Sequence, residues 1–182
     1  MNWQTKKIGE VCEKIELVSP ARVYSVDFCY IDISSVDPTS KKIARVKSVP
    51  AGRASSRARK LVREGDTIFA TTRPYLKNVA LIERDLDGAI ASTGFCVIRP
   101  KRKLLDPKFT FLVVSSESFV EKVIAKQKGA TYPAVSDADI YEIEIPLPSL
   151  EIQKKIVKKI EELFAKIDQA KSLRHRQRPC CP

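Results

Sequence analysis

Between Ser149 and His175, apolar residues return at steps of four, three, four and three: Ile156, Ile160, Leu163, Ile167 and Ala170. This is an a/d heptad seam, the pattern of a helix that buries one stripe against another helix. Lys154, Lys155, Lys158, Lys159, Glu161, Glu162 and Lys166 surround the seam with charge. Ser149 stands where a cap is needed, with Glu151 and Gln153 in the first turn. A helix of about 27 residues extends about 40 Å, more than a small domain can cover along its whole length. The spacing therefore predicts a helix that projects and takes a partner; the competing arrangement folds it back onto its own sheet. The chain divides accordingly into a domain over residues 1–148, a spacer or dimerisation helix over 149–175 and a tail over 176–182. The heptad pattern is lost there, in Arg176-Gln177-Arg178-Pro179-Cys180-Cys181-Pro182, and the tail is expected to be disordered.

The 148 residues ahead of the helix read as β-rich. Phe28-Cys29-Tyr30-Ile31-Asp32-Ile33 is aromatic and β-branched and is stopped by Asp37-Pro38-Thr39-Ser40. The Glu64-Gly65-Asp66 turn leads into Thr67–Thr72, followed by Val79–Ile82, the Asp87-Gly88 turn and Gly94–Ile98 before Arg99-Pro100. Strands this short at this spacing predict a twisted or barrel-like sheet rather than βαβ units. Asp106-Pro107 is a cap followed by proline at the first helical position, opening a helical segment that runs to Gly129. A connector carries a final strand at Ile143–Ile145, closed by Pro146 and Pro148. The expected class is α+β, a β-rich domain with a short helical segment and one long coiled-coil-forming helix.

Charge gives the first functional pointer. Lys plus Arg number 33 against 22 Asp plus Glu, a net charge of +11. That excess suits a polyanion, because a cation placed beside a phosphate releases condensed counterions. The cations are unevenly spread. From Lys41 to Arg63, nine Lys and Arg occur without a single Asp or Glu. Within this run Arg53, Ser55, Arg57, Arg59 and Lys60 occupy a stretch that reads as small, flexible and donor-rich, suited to a phosphate backbone. A second cluster, Thr72-Arg73-Pro74-Tyr75-Leu76-Lys77, offers donors, a stacking face and a cation on a proline-fixed loop. A third, Lys126 through Pro133, carries Thr131 and Tyr132. Each cluster alone is also compatible with ordinary turn and packing roles.

Chemistry is missing where an enzyme would show it. There is no G-x-x-x-x-G-K-[ST] loop, no G-x-G-x-x-G and no Asn-Pro-Pro-Tyr loop of the kind used to methylate adenine. The single histidine, His175, lies near the chain's end. Asp66, Glu83 and Asp85 could be imagined around a magnesium ion, but they read as turn and surface residues. The five cysteines lack metal-ligand spacing; Cys29 and Cys96 have apolar neighbours and are expected to be buried thiols in a reducing cytoplasm. No apolar run approaches the roughly 18 residues of a membrane span. The expectation is a cytoplasmic, non-catalytic DNA-binding protein without cofactor or metal.

Several of these residues resemble the specificity subunits of type I restriction enzymes. The carriers are Gly65-Asp66 followed by Thr67–Thr72 and Arg73-Pro74-Tyr75-Leu76, then Ser92-Thr93-Gly94-Phe95, Gly129–Pro133, and the Ile145–Gln153 junction into the long helix. The opening Trp3-x-x-Lys6-x-Ile8-Gly9-Glu10-Val11 is similar as well. The resemblance implies a target-recognition domain that reads half of a split site in double-stranded DNA. It also implies helices that set the spacing, adenine methyltransferase subunits as partners, and an ATP-dependent restriction subunit that joins them. One recognition domain and one helix correspond to half of such a subunit, so a homodimer through the Ile156–Ala170 seam becomes possible, with a palindromic interrupted target. A standalone DNA- or RNA-binding regulator of the same fold is the alternative.

Overall fold

A computed structural model describes residues 3–129 and 131–176. The expected tail beyond Arg176, with Cys180 and Cys181, lies outside the described residues, as does Ala130 of the third cluster. Strand β1 (Thr5–Lys7) leads into a helical turn α1 (Ile8–Val11) and β2 (Cys12–Glu13). A second turn, α2 (Pro20–Val23), precedes β3 (Asp27–Ile31), the short pair β4 (Val36–Asp37) and β5 (Lys42–Ile43), β6 (Lys47–Pro50) and β7 (Ala58–Leu61). Next come β8 (Thr67–Ala70), β9 (Val79–Leu81), β10 (Ile90–Ser92) and β11 (Phe95–Pro100). Helices α3 (Pro107–Val114), α4 (Glu117–Ile124) and α5 (Asp137–Tyr141), strand β12 (Glu144–Pro146) and the long α6 (Leu150–Arg176) complete the chain.

Two open four-stranded sheets are stacked, in the orders β6-β3-β10-β7 and β2-β11-β8-β9, and no closed barrel forms among the described residues. The strand alternation explains the layering. In β8 and β11, Phe69, Cys96 and Ile98 point toward the helices, whereas Ile68, Ala70, Phe95 and Val97 fill the space between the sheets. On the outer face of the first sheet, Phe28, Tyr30 and Ile90 pack against Ala51 and Ala58. Cys29 is exposed rather than buried as its apolar neighbours suggested, although Ile31 on the same strand face is fully buried. Burial pushes the Cys12 thiol up to about 12 and the Cys96 thiol higher still, which keeps both neutral.

The Lys41–Arg63 run contradicts the expectation of a flexible stretch within it. It supplies β5, β6 and β7, and Ala51–Arg53 forms a 3-10 turn packed against α2 rather than a flexible tip. Its missing acids arrive from elsewhere: Asp32 pairs with Lys47, Asp137 with Lys60 and Glu16 with Arg63. Asp66 is likewise a structural group. It follows Gly65, whose φ of 89° strains any other residue and where a Cβ would sit tightly against Pro107. Its carboxylate accepts Arg99 Nη2 at 2.8 Å, Arg99 Nε at 3.0 Å and the Arg63 N–H at 2.9 Å. Burial drives this carboxyl upward, against the pull of the Arg99 guanidinium. Glu83 and Asp85 are exposed, and no His, Cys, Asp and Glu grouping suited to a metal occurs among the described residues.

Residue Gln153 roots the long helix. Its side chain is fully buried; Nε2 donates to Leu104 O (2.9 Å) and Pro148 O (2.8 Å), and Oε1 accepts the Asp106 N–H (2.8 Å). The same Asp106 caps α3 by accepting the Phe109 N–H, so one amide ties α6 to the capped start of α3. The antiparallel pairing of β1 with β12, Thr5 opposite Pro146, fixes the segment just before it. Val157 is buried and Ile156 half-buried at the base, whereas every residue from 161 to 171 is exposed. The helix therefore projects instead of folding back. No helix is long and apolar enough to cross a membrane among the described residues.

Replacing Gln153 by Leu leaves the buried Pro148 O and the part-buried Leu104 O and Asp106 N–H without this partner. We expect a loss of about 2–4 kcal/mol, read as a lower urea midpoint at unchanged slope. A midpoint equal to wild type would show that the amide is dispensable.

Candidate nucleic-acid interface

The three basic clusters are far apart in sequence, and the fold brings them together through backbone hydrogen bonds at one corner. Where β10 passes into β11, the chain leaves one sheet for the other through Ser92-Thr93-Gly94. At that corner the Thr93 N–H donates to Arg57 O (2.8 Å), which holds the first cluster. Gly94 O accepts both the Thr71 N–H (2.9 Å) and Thr71 Oγ1 (3.0 Å), which holds the second. Thr71 O then accepts the Val135 N–H (2.9 Å), and the Arg73 N–H donates to Pro133 O (2.8 Å), so the second cluster carries the third.

Within the second cluster, Arg73 and Lys77 flank a 3-10 turn over Pro74–Leu76, and both adopt left-handed backbone, with φ of 49° and 54°. A side chain pays about 1–2 kcal/mol for this conformation, so the surrounding hydrogen bonds must enforce it. The consequence is a presented loop: Thr72 and Arg73 are exposed, Pro74 is buried as its anchor, and Tyr75 and Leu76 stand 49% and 45% exposed. Beside them Thr131 is exposed and Tyr132 is 77% exposed, an unusual state for an aromatic ring. Arg53, Ser55, Arg57 and Arg59 are also exposed. Among the described residues, Arg53, Arg57 and Arg73 have no carboxylate partner. Cations, hydroxyls and two aromatic faces are thus offered on a platform whose backbone is already ordered.

Two of the candidates have other engagements. Lys60 alternates inward from Arg59 on β7 and is 6% exposed; its ammonium donates to Phe95 O (2.6 Å) and pairs with Asp137. Its ammonium is committed to partners inside the domain. Lys77 is half-buried and pairs with Glu117, with Lys41 close enough for its own pKa to be lowered, chiefly by burial and then by Lys77. Thr93 was not singled out by sequence reasoning, although it is exposed at the centre of the corner; the Ser-Thr-Gly turn between two apolar strands was its available signal. Along the helix, Ile156 and Ile160 are half-buried, Leu163 and Ile167 are 48% and 47% exposed, and Ala170 is exposed. Phe164, at 59%, and Ile152, at 39%, widen the apolar stripe beyond the five seam positions.

An α+β platform of convergent cationic loops with an unpartnered projecting helix is the architecture of a macromolecular recognition module. The chain belongs to the type I restriction modification DNA specificity domain family, which it matches over residues 1–175. It is 30% identical over 175 residues to the type I restriction enzyme HindI specificity subunit of Haemophilus influenzae, covering 92% of this chain and 36% of that protein. With the EcoDI specificity subunit of Escherichia coli it shares 28% identity over 104 residues, 57% of this chain and 22% of that one. The crystal structure of the HsdS subunit from Thermoanaerobacter tengcongensis superimposes with a TM-score of 0.88 at 46% identity, over 96% of this chain and 45% of that chain. The S subunit from M. genitalium shares the fold, with a TM-score of 0.57 at 15% identity over 95% of this chain and 42% of that one. The chain spans less than half the length of these relatives.

Replacing Lys60 by Met strands the Asp137 carboxylate and Phe95 O. We expect a loss of roughly 2–3 kcal/mol, below the range for fully buried pairs because 32% of the Asp137 side chain is exposed. Denaturant unfolding of the double variant Lys60→Met/Asp137→Asn should recover part of it. Additive losses would mean that the two groups do not act as a pair.

Proposed function

We propose that this chain recognises DNA for a type I restriction-modification system, reading one half of a split target while partner subunits perform the chemistry. Family membership and the relatives' roles as specificity subunits support this. The observation that carries it is the joining, at the β10–β11 corner, of the segments that carry Arg57, Arg59, Thr72, Arg73, Tyr75, Thr131 and Tyr132, with Arg53 exposed in the turn ahead of them. Guanidinium groups without carboxylate partners match guanine edges or phosphates, and exposed tyrosine rings match bases and sugars. Adenine methyltransferase subunits would supply the catalytic loop that this sequence lacks, and an ATP-dependent restriction subunit would join them, in the cytoplasm where the genome is accessible. The module itself needs no cofactor for this role.

The partner of the helix is a second helix of the same kind. Burying Leu163, Phe164 and Ile167 removes apolar surface from water at about 25 cal/mol per Å², and a second copy of the chain offers a self-complementary stripe. Two-fold pairing would then impose a palindromic, interrupted target.

Genome-wide adenine-methylation mapping, with the gene present and deleted, tests the function. One bipartite motif should vanish on deletion and return on complementation. Arg73→Gly, which suits the left-handed backbone and removes only the side chain, should fail to restore it or restore a relaxed motif. A methylation map indifferent to the gene would overturn the reading. For the helix, sedimentation should show a dimer that Leu163→Glu/Ile167→Glu converts to a folded monomer; a wild-type monomer at high concentration would refute self-pairing.

A further inference from the structure

The recognition corner continues into a cleft that shares Arg59 and Lys60 with the first basic cluster and otherwise draws on residues outside all three. The segment Glu16–Val18 lies against β7, with the Val18 N–H donating to Arg59 O (2.8 Å) and the Leu61 N–H to Glu16 O (3.1 Å). The chain then turns into α2, which packs on the 3-10 turn that ends at Arg53. Between this segment and β7 opens a cleft of about 620 Å³, lined chiefly by Leu17, Ser19, Arg22, Val23, Arg59 and Thr93. Thr93 is the corner residue that holds Arg57, so the cleft begins where the three loops meet.

Its chemistry is one-sided. No acidic residue lines it among the described residues, and Lys60 at its floor already has its ammonium engaged by Asp137 and Phe95 O. Among the described residues Arg22 has no ion-pair partner, and Arg59 uses only Nε, toward Ser56 O at 3.3 Å, leaving its terminal nitrogens without a partner there. Two guanidinium groups therefore share a concave, acid-free space with the hydroxyls of Ser19 and Thr93. On the rim, Leu17 and Val23 are 69% and 53% exposed, apolar side chains standing beside the cations. A cationic floor with an apolar rim matches a phosphodiester strand, whose charged phosphates alternate with apolar deoxyribose faces. A free small anion would make no use of the rim, and an acidic peptide would not match the concave run from Arg22 to the corner.

We infer that this cleft seats the phosphate backbone of the DNA strand flanking the bases read at the corner, with Arg22 and Arg59 as phosphate contacts and Leu17 and Val23 against sugars. The inference rests on the DNA-recognition reading and adds the part of the surface that anchors without reading. Anchoring contacts carry no sequence information, so they are measurable on any duplex, without knowledge of the target.

The test is titration of the full chain against a fluorescein-labelled random-sequence duplex over a range of NaCl concentrations. Each phosphate contact contributes about 0.9 to the slope of log K against log salt. Arg22→Gln and Arg59→Gln should each flatten the slope by about 0.9, and Leu17→Ser/Val23→Ser should weaken binding with the slope unchanged. Lys103→Gln, at the opposite end of β11 from Thr93, controls for loss of one charge and should leave the slope as in wild type. Wild-type slopes in both arginine variants, while the parent chain binds with clear salt dependence, would overturn the cleft and leave the DNA reading standing. A slope reduced equally by Lys103→Gln would also overturn it, by exposing a net-charge effect. Failure of the wild-type chain to bind any duplex would refute both, and that outcome is distinct because no variant is then needed to see it.

Discussion

A single buried ammonium holds the recognition end of the domain together. Lys60 belongs to β7 in one sheet, Phe95 O to the first residue of β11 in the other, and Asp137 to the first turn of α5. The charge is taken out of water only because each partner is already placed, and such a group is costly if any one of them is missing. Its neighbours on β7 feel this directly. With Ala58 and Lys60 fixed inward by alternation, Arg57 and Arg59 are obliged to face outward. Asp137 follows Ser136, whose hydroxyl and the Asp139 carboxylate form the reciprocal cap that starts α5, immediately after the Tyr132 segment. The interior ion pair thus determines which cations are surface cations and where the third loop ends.

At the other end, Gln153 plays the corresponding role without charge. Three hydrogen bonds satisfy its amide and simultaneously satisfy backbone groups on either side, at Leu104, Asp106 and Pro148. A neutral amide suits the position because full satisfaction is possible with three fixed backbone partners and no counter-ion. Beyond this root the packing runs out within two turns. The apolar stripe of Leu163, Phe164 and Ile167 then lies in water, a surface that a lone soluble domain has little reason to keep.

Much of this was legible in the sequence, and the failures have identifiable causes. The Asp106-Pro107 start, the Ile143–Ile145 strand region and the long helix were predictable because capping and heptad signals are local. The order within the stretch from Lys41 to Arg63 is not legible locally because β6 and β7 are short, charged along one face, and paired to strands distant in sequence. Its run of like charges looked unbalanced only in one dimension, since Asp32, Glu16 and Asp137 answer it in three. The burial of Lys60 could not be separated from the exposure of Arg59 without knowing the register of β7 against β10. Arg73 was visible as a candidate, but its left-handed backbone depends on Pro133, sixty residues later in the chain, and no local rule predicts that contact.

The two ends are joined by one strand. β11 begins at the recognition corner, just after Thr93 and Gly94, and ends five residues before Leu105, whose neighbours Leu104 and Asp106 hold Gln153. Six residues of strand span about 20 Å, and all six are buried, paired to β8 along most of the length and to β2 at the far end. A strand buried on both faces, held by β8 over its first four residues and by β2 over its last two, does not bend to follow a ligand. The direction in which α6 leaves the domain is therefore set with respect to the loops before any partner arrives. If the loops engage DNA as proposed, the helix direction is fixed relative to the duplex as well, and the separation of two such modules is decided by where along α6 they meet. Sequence choice then resides in exposed loops that can vary without touching the core, while spacing resides in a helix rooted through β11 and Gln153.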